Sequence, residues 1–77
     1  MDWEYIGLIS ANCTNQGQTQ EQVLELYVKV INGVIFYALK LKNGLFYSVK
    51  KTKISGGYRG EIVLASFQAS FIIPVDD

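Results

Sequence analysis

The chain has 77 residues, 49% of them hydrophobic, and its seven basic and seven acidic side chains give a net charge of zero. This length indicates one domain over residues 1–77, and the composition excludes a disordered chain and a membrane span of about 18 consecutive apolar residues. The single cysteine, Cys13, excludes an internal disulfide, and the lack of histidine removes the common zinc and copper ligand sets.

The N-terminal segment WEYIGLIS, residues 3–10, is predicted to be a strand. Its side chains alternate, and its centre is apolar on both faces, so we expect burial on both sides there. Trp3 is interpreted as a core or interface anchor. The N-terminal residues MDWEYIGLIS have acids where a signal peptide needs positive charge, so we expect a soluble, cytoplasmic protein. Residues 11–22, ANCTNQGQTQEQ, are polar without apolar periodicity and predict a long loop that contains Cys13 as an ordinary thiol.

Residues 20–31 fit two alternatives. As a helix, the segment has Thr19 as N-cap, Gln22 three residues later and Gly33 as C-cap. As a strand, it forms a hairpin with the next segment through a two-residue Asn32-Gly33 turn. Strand pairing then aligns apolar residues on one face over the whole length, and on the other face it sets Glu25 opposite Lys40. The strand is favoured because one register satisfies both faces.

A second Asn-Gly predicts a second hairpin. A two-residue turn there mixes the faces, whereas a three-residue loop, Lys42-Asn43-Gly44, places Leu39 opposite Tyr47. Gly44 then occupies the left-handed bulge position of a common hairpin loop. The stretch is therefore interpreted as a three-stranded meander. The predicted inward residues are Leu24, Leu26, Val28, Val30, Ile35, Tyr37, Leu39, Leu41, Leu45, Tyr47 and Val49.

The C-terminal segment predicts one long strand after a break at residues 55–60, SGGYRG. Its alternation places Val63, Phe67 and Phe71 on one face throughout. Thirteen extended residues span about 43 Å, so we expect a bend near residues 65–66 or 69–70. Pro74 is expected to end the strand.

The predicted fold class is all-β, a small five-stranded antiparallel barrel or curled sheet. The alternative is α+β, with one helix at about residues 20–31 packed on a four-stranded antiparallel sheet. Five short strands with an extended loop after the first are similar in layout to SH3-like small barrels. No motif accompanies this likeness, so it implies no binding residues.

The charge distribution defines a candidate surface. All seven basic residues lie between Lys29 and Arg59, and no acid falls between Leu26 and Gly60, while the acids lie outside, as far as Asp76 and Asp77. The face opposite the inward residues interleaves lysines with aromatic side chains, a combination that suits single-stranded nucleic acid. The candidate binding residues are Tyr27, Lys29, Phe36, Lys40, Lys42, Phe46 and Lys50, with Lys51, Lys53, Tyr58 and Arg59 as an extension.

Catalysis has no support, because there is no nucleophile–histidine pair and no phosphate-binding glycine loop. We expect a non-enzymatic binding protein without a cofactor or metal and without a membrane partner. Both faces of the meander carry aromatic residues, and a chain this short cannot cover both. We therefore expect a protein partner, either a second copy in a homo-oligomer or a larger protein, with single-stranded nucleic acid as the alternative. The same pattern would arise if the aromatic residues formed a second core layer and the lysines blocked edge-to-edge aggregation.

Overall fold

The computed structural model describes residues 2–74, so Asp76 and Asp77 of the predicted acidic set lie outside the described residues. All regular structure in this range is β-strand. The seven strands are β1 Glu4–Asn15, β2 Gln18–Ile31, β3 Val34–Lys40, β4 Phe46–Ser48, β5 Lys50–Ile54, β6 Gly57–Val63 and β7 Phe67–Pro74.

The strands form one antiparallel sheet in the order β4-β3-β2-β1-β7-β6-β5. The two outermost strands, β4 and β5, are consecutive along the chain and separated only by Val49. The sheet must therefore curl until its two edges approach each other at Val49, which gives a half-barrel with an apolar interior. The backbone N–H of Val49 still donates to the carbonyl of Tyr37 on β3 at 2.9 Å, while the next residue already pairs with β6.

The meander has the predicted registers. Asn32 and Gly33 have φ angles of 51° and 78°, as a type I′ turn requires, and Glu25 lies opposite Lys40. The helix alternative for residues 20–31 is therefore wrong. In the second hairpin Leu39 pairs with Tyr47, and Gly44 has a φ of 84°, so the three-residue loop is also confirmed.

The predicted loop at residues 11–22 is wrong, because most of these residues belong to a hairpin. β1 continues to Asn15, β2 begins at Gln18, and Gln16 and Gly17 form a tight turn with φ angles of 52° and 83°. Polar side chains conceal this hairpin because its end projects into solvent, where neither face needs apolar residues. Cys13 is correspondingly not a loop thiol but a core residue, 1% exposed.

The predicted single C-terminal strand is also wrong. Residues 64–66 turn the chain back, so β6 and β7 form a hairpin, and the backbone N–H of Leu64 donates to the carbonyl of Phe67 at 2.8 Å. Across this turn the inward-facing positions change from even-numbered to odd-numbered residues. Ile62 is buried and Val63 is 67% exposed, whereas the interior residues after the turn include Phe71. Gly57 and Gly60 of the predicted SGGYRG break lie within β6.

The N-terminal strand departs from simple alternation at a β-bulge between Tyr5 and Gly7. Gly7 has a φ of 144°, and Ile6 is the extra residue. Ile6 and Leu8 are 47% and 66% exposed, so the prediction that this strand is buried on both faces is wrong.

The interior of the curled sheet is the hydrophobic core. Its buried residues are Ala11, Cys13, Leu24, Leu26, Leu39, Ile62, Ala69, Phe71 and Ile73, and Tyr37, Leu41, Tyr47 and Val49 pack against them. Three predicted inward residues, Val30, Ile35 and Leu45, are instead 43–56% exposed. They lie at strand or loop ends, where the sheet no longer has an opposing wall.

The all-β class is confirmed, and the strand count of five is wrong. The SH3-like likeness depended on five strands and a long loop after the first, and the described residues have seven strands and a hairpin instead.

Candidate interaction surface

A row of three aromatic rings crosses the outside of the half-barrel, on the outer face of strands β1 to β4. Tyr5 on β1 and Tyr27 on β2 are cross-strand partners with ring centroids 5.5 Å apart. Tyr27 and Phe46 on β4 have centroids 4.7 Å apart. Both contacts are edge-to-face, with interplanar angles of 62°. Such packing is the preferred geometry of aromatic pairs and orders the three side chains. We call Tyr5, Tyr27 and Phe46 the aromatic row.

The aromatic row covers a buried alanine outside the core. Ala38 is cross-strand from Tyr27, and its strand, β3, lies between β2 and β4. The rings of Tyr27 and Phe46 therefore meet over Ala38, which is 1% exposed but does not belong to the core cluster. A larger side chain at this position would push the rings apart. The outer face thus has its own packed apolar layer, separate from the core.

Two lysines lie against aromatic rings of this face. The ammonium of Lys29 is 5.2 Å from the centre of the Trp3 ring, and that of Lys40 is 5.9 Å from the Phe46 ring. These distances allow cation–π attraction, which is weak at exposed sites. The lysines therefore lie over ring faces that would otherwise be open to a ligand.

The single acid opposed to these lysines is part of the same layer. The Tyr27 hydroxyl donates to a carboxylate oxygen of Glu25 at 2.5 Å. This hydrogen bond favours the neutral phenol, and with burial and the negative charge of Glu25 it raises the pKa of Tyr27 above its ordinary value. The hydroxyl of Tyr27 is thus held in place and points along the face.

Around the aromatic row, apolar side chains remain exposed. The outer-face residues with large exposed apolar area are Tyr5 51%, Leu8 66%, Val23 60%, Phe36 44% and Phe46 43%. Scattered apolar residues are normal on protein surfaces, but a contiguous set on one face marks an interaction site. We call this set, together with Tyr27, the outer apolar face.

Five of the seven predicted binding residues come together on this face: Tyr27, Lys29, Phe36, Lys40 and Phe46. Lys42 lies in the β3–β4 loop and borders a depression of about 370 Å³ that Val23 and Glu25 also line. Lys50 begins β5, beyond Val49, and pairs across the strands with Glu61. The structure therefore separates Lys50 from the other predicted residues.

The suggested extension does not continue the outer face. Lys51, Lys53, Tyr58 and Arg59 lie on β5 and β6, at the other side of the sheet order. Lys51 instead lies between the rings of Tyr37 and Tyr58, with ammonium-to-centroid distances of 5.4 and 5.2 Å.

Three residues of the face, Val23, Tyr5 and Leu8, were missed from the sequence. Val23 has the same parity as Tyr27 on β2, but the other two lie on β1. They are three positions apart, so strict alternation assigns them to opposite faces. The bulge at Ile6 returns both to the outer face, opposite Tyr27 and Glu25. The signal that predicts such a bulge is Gly7, a glycine within an otherwise apolar strand.

The arrangement contains no group of acidic or cysteine side chains, within residues 2–74, that could hold a metal ion. None of the described residues belongs to a helix of the length and apolar character needed to cross a membrane. No protein-family profile, curated protein or solved structure matches this chain.

Proposed function

We propose that this protein is a small non-enzymatic interaction module that binds another protein through its outer apolar face. The observation that carries the proposal is the ordered aromatic row over the buried Ala38, outside the core, with Val23 and Phe36 exposed beside it. A rigid apolar patch of this kind loses little side-chain entropy on binding and has a large area to remove from water. Glu25, Lys29 and Lys40 at its border would supply polar contacts at the rim.

Ring geometry favours a protein partner over a nucleic acid. Base stacking needs an open, flat ring face. Tyr27 packs edge-to-face with a ring on either side, and the Phe46 ring carries the ammonium of Lys40. A base would have to displace these contacts, whereas apolar side chains of a protein can fill the spaces between tilted rings.

Single-stranded nucleic acid is the second candidate, supported by the pairing of lysines with rings at Lys29 and Trp3 and at Lys40 and Phe46. The test is fluorescence anisotropy of labelled single-stranded DNA and RNA at low and near-physiological salt. Micromolar binding that falls steeply with salt, and that Phe36→Ala or Lys40→Glu weakens without unfolding, would favour this candidate. Lack of binding at low salt would exclude it.

The protein-binding proposal is tested by site-specific photo-crosslinking in cells that produce the protein. A photoreactive aromatic amino acid replaces Phe36, on the outer apolar face, and in a matched control it replaces Val63, which is 67% exposed on β6. We expect a discrete adduct from position 36 and none from position 63. The adduct mass distinguishes a second copy of the chain from a larger protein. Equal adducts from both positions, or none, would contradict the proposal.

A further inference from the structure

Strand β1 has a free edge. It pairs with β2 from Glu4 to Asn15, but with β7 only from Asn12 to Asn15. On the N-terminal side of Asn12, β1 diverges from β7, because β7 continues along β6. Within residues 2–74, no strand pairs with the first two-thirds of β1 on the side away from β2.

The hairpin geometry shows which backbone groups face this free edge. Asn15 and Gln18 flank a two-residue turn and so form a hydrogen-bonded pair. In an antiparallel ladder such pairs alternate with pairs whose N–H and C=O groups point away from the partner strand. Counting back from Asn15, the groups of Leu8 and Ser10 point away from β2, towards the free edge. The N–H of Gln16, which has the same parity, donates in that direction to the carbonyl of Ser66 at 3.3 Å.

The free edge is apolar and carries no charge after Glu4. No charged residue occurs between Glu4 and Glu21. Leu8 is 66% exposed beside the unpaired groups, and Ile6 at the bulge is 47% exposed. The bulge confines regular pairing on this edge to residues 8–11.

The other opening of the sheet is protected in the way that natural proteins protect edges. There the carbonyl of Ile35 on β3 accepts a hydrogen bond of 2.8 Å from the ammonium of Lys51. A lysine on an edge prevents another strand from pairing there. The edge of β1 has no proline and no charged residue between Tyr5 and Asn12. This edge therefore remains suited to the addition of another strand.

We propose that two copies of this chain associate by antiparallel pairing of the free edges of their β1 strands, about a two-fold axis at Ile9. This register sets Leu8 of each copy opposite Ser10 of the other. It engages all the edge-facing groups of both residues in four hydrogen bonds. A second copy fits better than a charged foreign strand, because its own β1 is uncharged from Tyr5 to Asn15 and has the same alternation. The pairing uses backbone groups of the strand edge and shares only Leu8 with the outer apolar face, so Ser10→Pro and Phe36→Glu distinguish it from the proposed docking function.

Sedimentation equilibrium over a range of protein concentrations tests the pairing. We expect a reversible monomer–dimer equilibrium for the unmodified chain. Ser10→Pro removes an N–H that points to the free edge while it keeps the ladder with β2, and proline is tolerated on edge strands. It should raise the dimer dissociation constant at least about tenfold, since hydrogen bonds to the partner are lost. Ser10→Ala is the matched control and should leave the constant unchanged.

A second variant covers the case in which Ser10→Pro does not fold. Leu8→Lys changes a side chain that is already 66% exposed, so the monomer tolerates it, and it should also weaken the dimer. Adding Ser10→Asp to Leu8→Lys should restore the dimer, because the register sets residue 8 of one copy against residue 10 of the other. A chain that stays monomeric at every concentration would overturn the proposal. So would a dimer that the edge variants leave intact and Phe36→Glu dissociates, which would place the contact on the outer apolar face.

Discussion

The ammonium of Lys51 donates a hydrogen bond of 2.8 Å to the carbonyl of Ile35 and so joins an end strand of the sheet order to the strand next to the opposite end. Ile35 lies on β3 and Lys51 on β5, and these strands have no ladder between them. The side chain thus replaces a strand hydrogen bond where the half-barrel begins to open. The rings of Tyr37 and Tyr58 hold the same ammonium by cation–π contacts at 5.4 and 5.2 Å.

Lys51→Met should destabilise the protein and expose a second free edge. The loss of one charge-assisted hydrogen bond and two weak ring contacts should lower the free energy of unfolding by about 0.5–1.5 kcal/mol. Urea unfolding measures this change, and light scattering at rising concentration measures association. Lys53→Met removes the same charge from the same strand and is the control. Equal effects of the two variants would show that the Lys51 bridge has no specific role.

Gly60 is required because the ring of Phe71 occupies the space of its side chain. A Cβ atom at position 60 would lie 2.7 Å from the Phe71 ring and 2.9 Å from Val49. Gly60→Ala should therefore cost about 1–3 kcal/mol through overpacking. Because the clash is with a side chain, Gly60→Ala and Phe71→Leu together should cost less than the sum of the two single changes, measured by urea unfolding.

Gly56 provides the control for this cycle. Its Cβ would meet nothing within 4 Å, but its φ of 84° makes alanine strained. Gly56→Ala should cost about 1 kcal/mol, and this cost should add to that of Phe71→Leu without coupling. If the costs of Gly60→Ala and Phe71→Leu were also additive, a clash with the Phe71 ring would not be the cause of the destabilisation by Gly60→Ala.

Predictions from the sequence succeeded where turn chemistry and alternation acted together. Asn32-Gly33 fixes one turn, and the apolar pattern on both sides then allows only one register, which the structure has. This register, together with that of the second hairpin, placed Tyr27, Phe36 and Phe46 on the outer face. Hence half of the outer apolar face was predictable from the meander.

The failures have physical causes. Apolar and polar residues alternate in the sequence from Glu61 to Pro74 without a break. Residues 64–66 keep this alternation although they form the turn at which the chain reverses. The bulge at Ile6 shifts the parity of β1, which concealed Tyr5 and Leu8. The free edge of β1 depends on where β1 and β7 diverge, and alternation within a single strand contains no information on that.

Cys13 should be inert in the native state. Its thiol is 1% exposed and lies 3.8 Å from the carbonyl of Ala11. Burial raises the pKa of the Cys13 thiol above its ordinary value of 9.0, an effect that the charge of Lys42 partly offsets. Only the thiolate reacts with disulfide reagents, so labelling at neutral pH should proceed through unfolding. The reaction of Cys13 with a disulfide reagent, monitored by absorbance, should be slow in buffer and fast in urea. Rapid labelling in buffer would contradict the burial of Cys13.

The hydrogen bond from Tyr27 to Glu25 should make stability depend on alkaline pH. Because this bond raises the pKa of Tyr27 above its ordinary value of 10.0, the folded state favours the neutral phenol. The resulting stabilisation is complete below about pH 10 and is lost as the pH rises through the raised pKa of the folded state. Tyr27→Phe lacks it, so the difference in urea midpoint between the unmodified protein and this variant should shrink from about pH 8 to about pH 11.

Comparing two proteins at each pH cancels the titration of lysines and of the other tyrosines. Glu25→Gln gives an independent check, because the amide keeps an acceptor for the Tyr27 hydroxyl but removes the charge. In this variant the tyrosinate absorbance should show one tyrosine that ionises at a lower pH than in the unmodified protein. A midpoint difference that is constant with pH, or an unchanged tyrosinate titration, would mean that the phenol and the carboxylate are not bonded in solution.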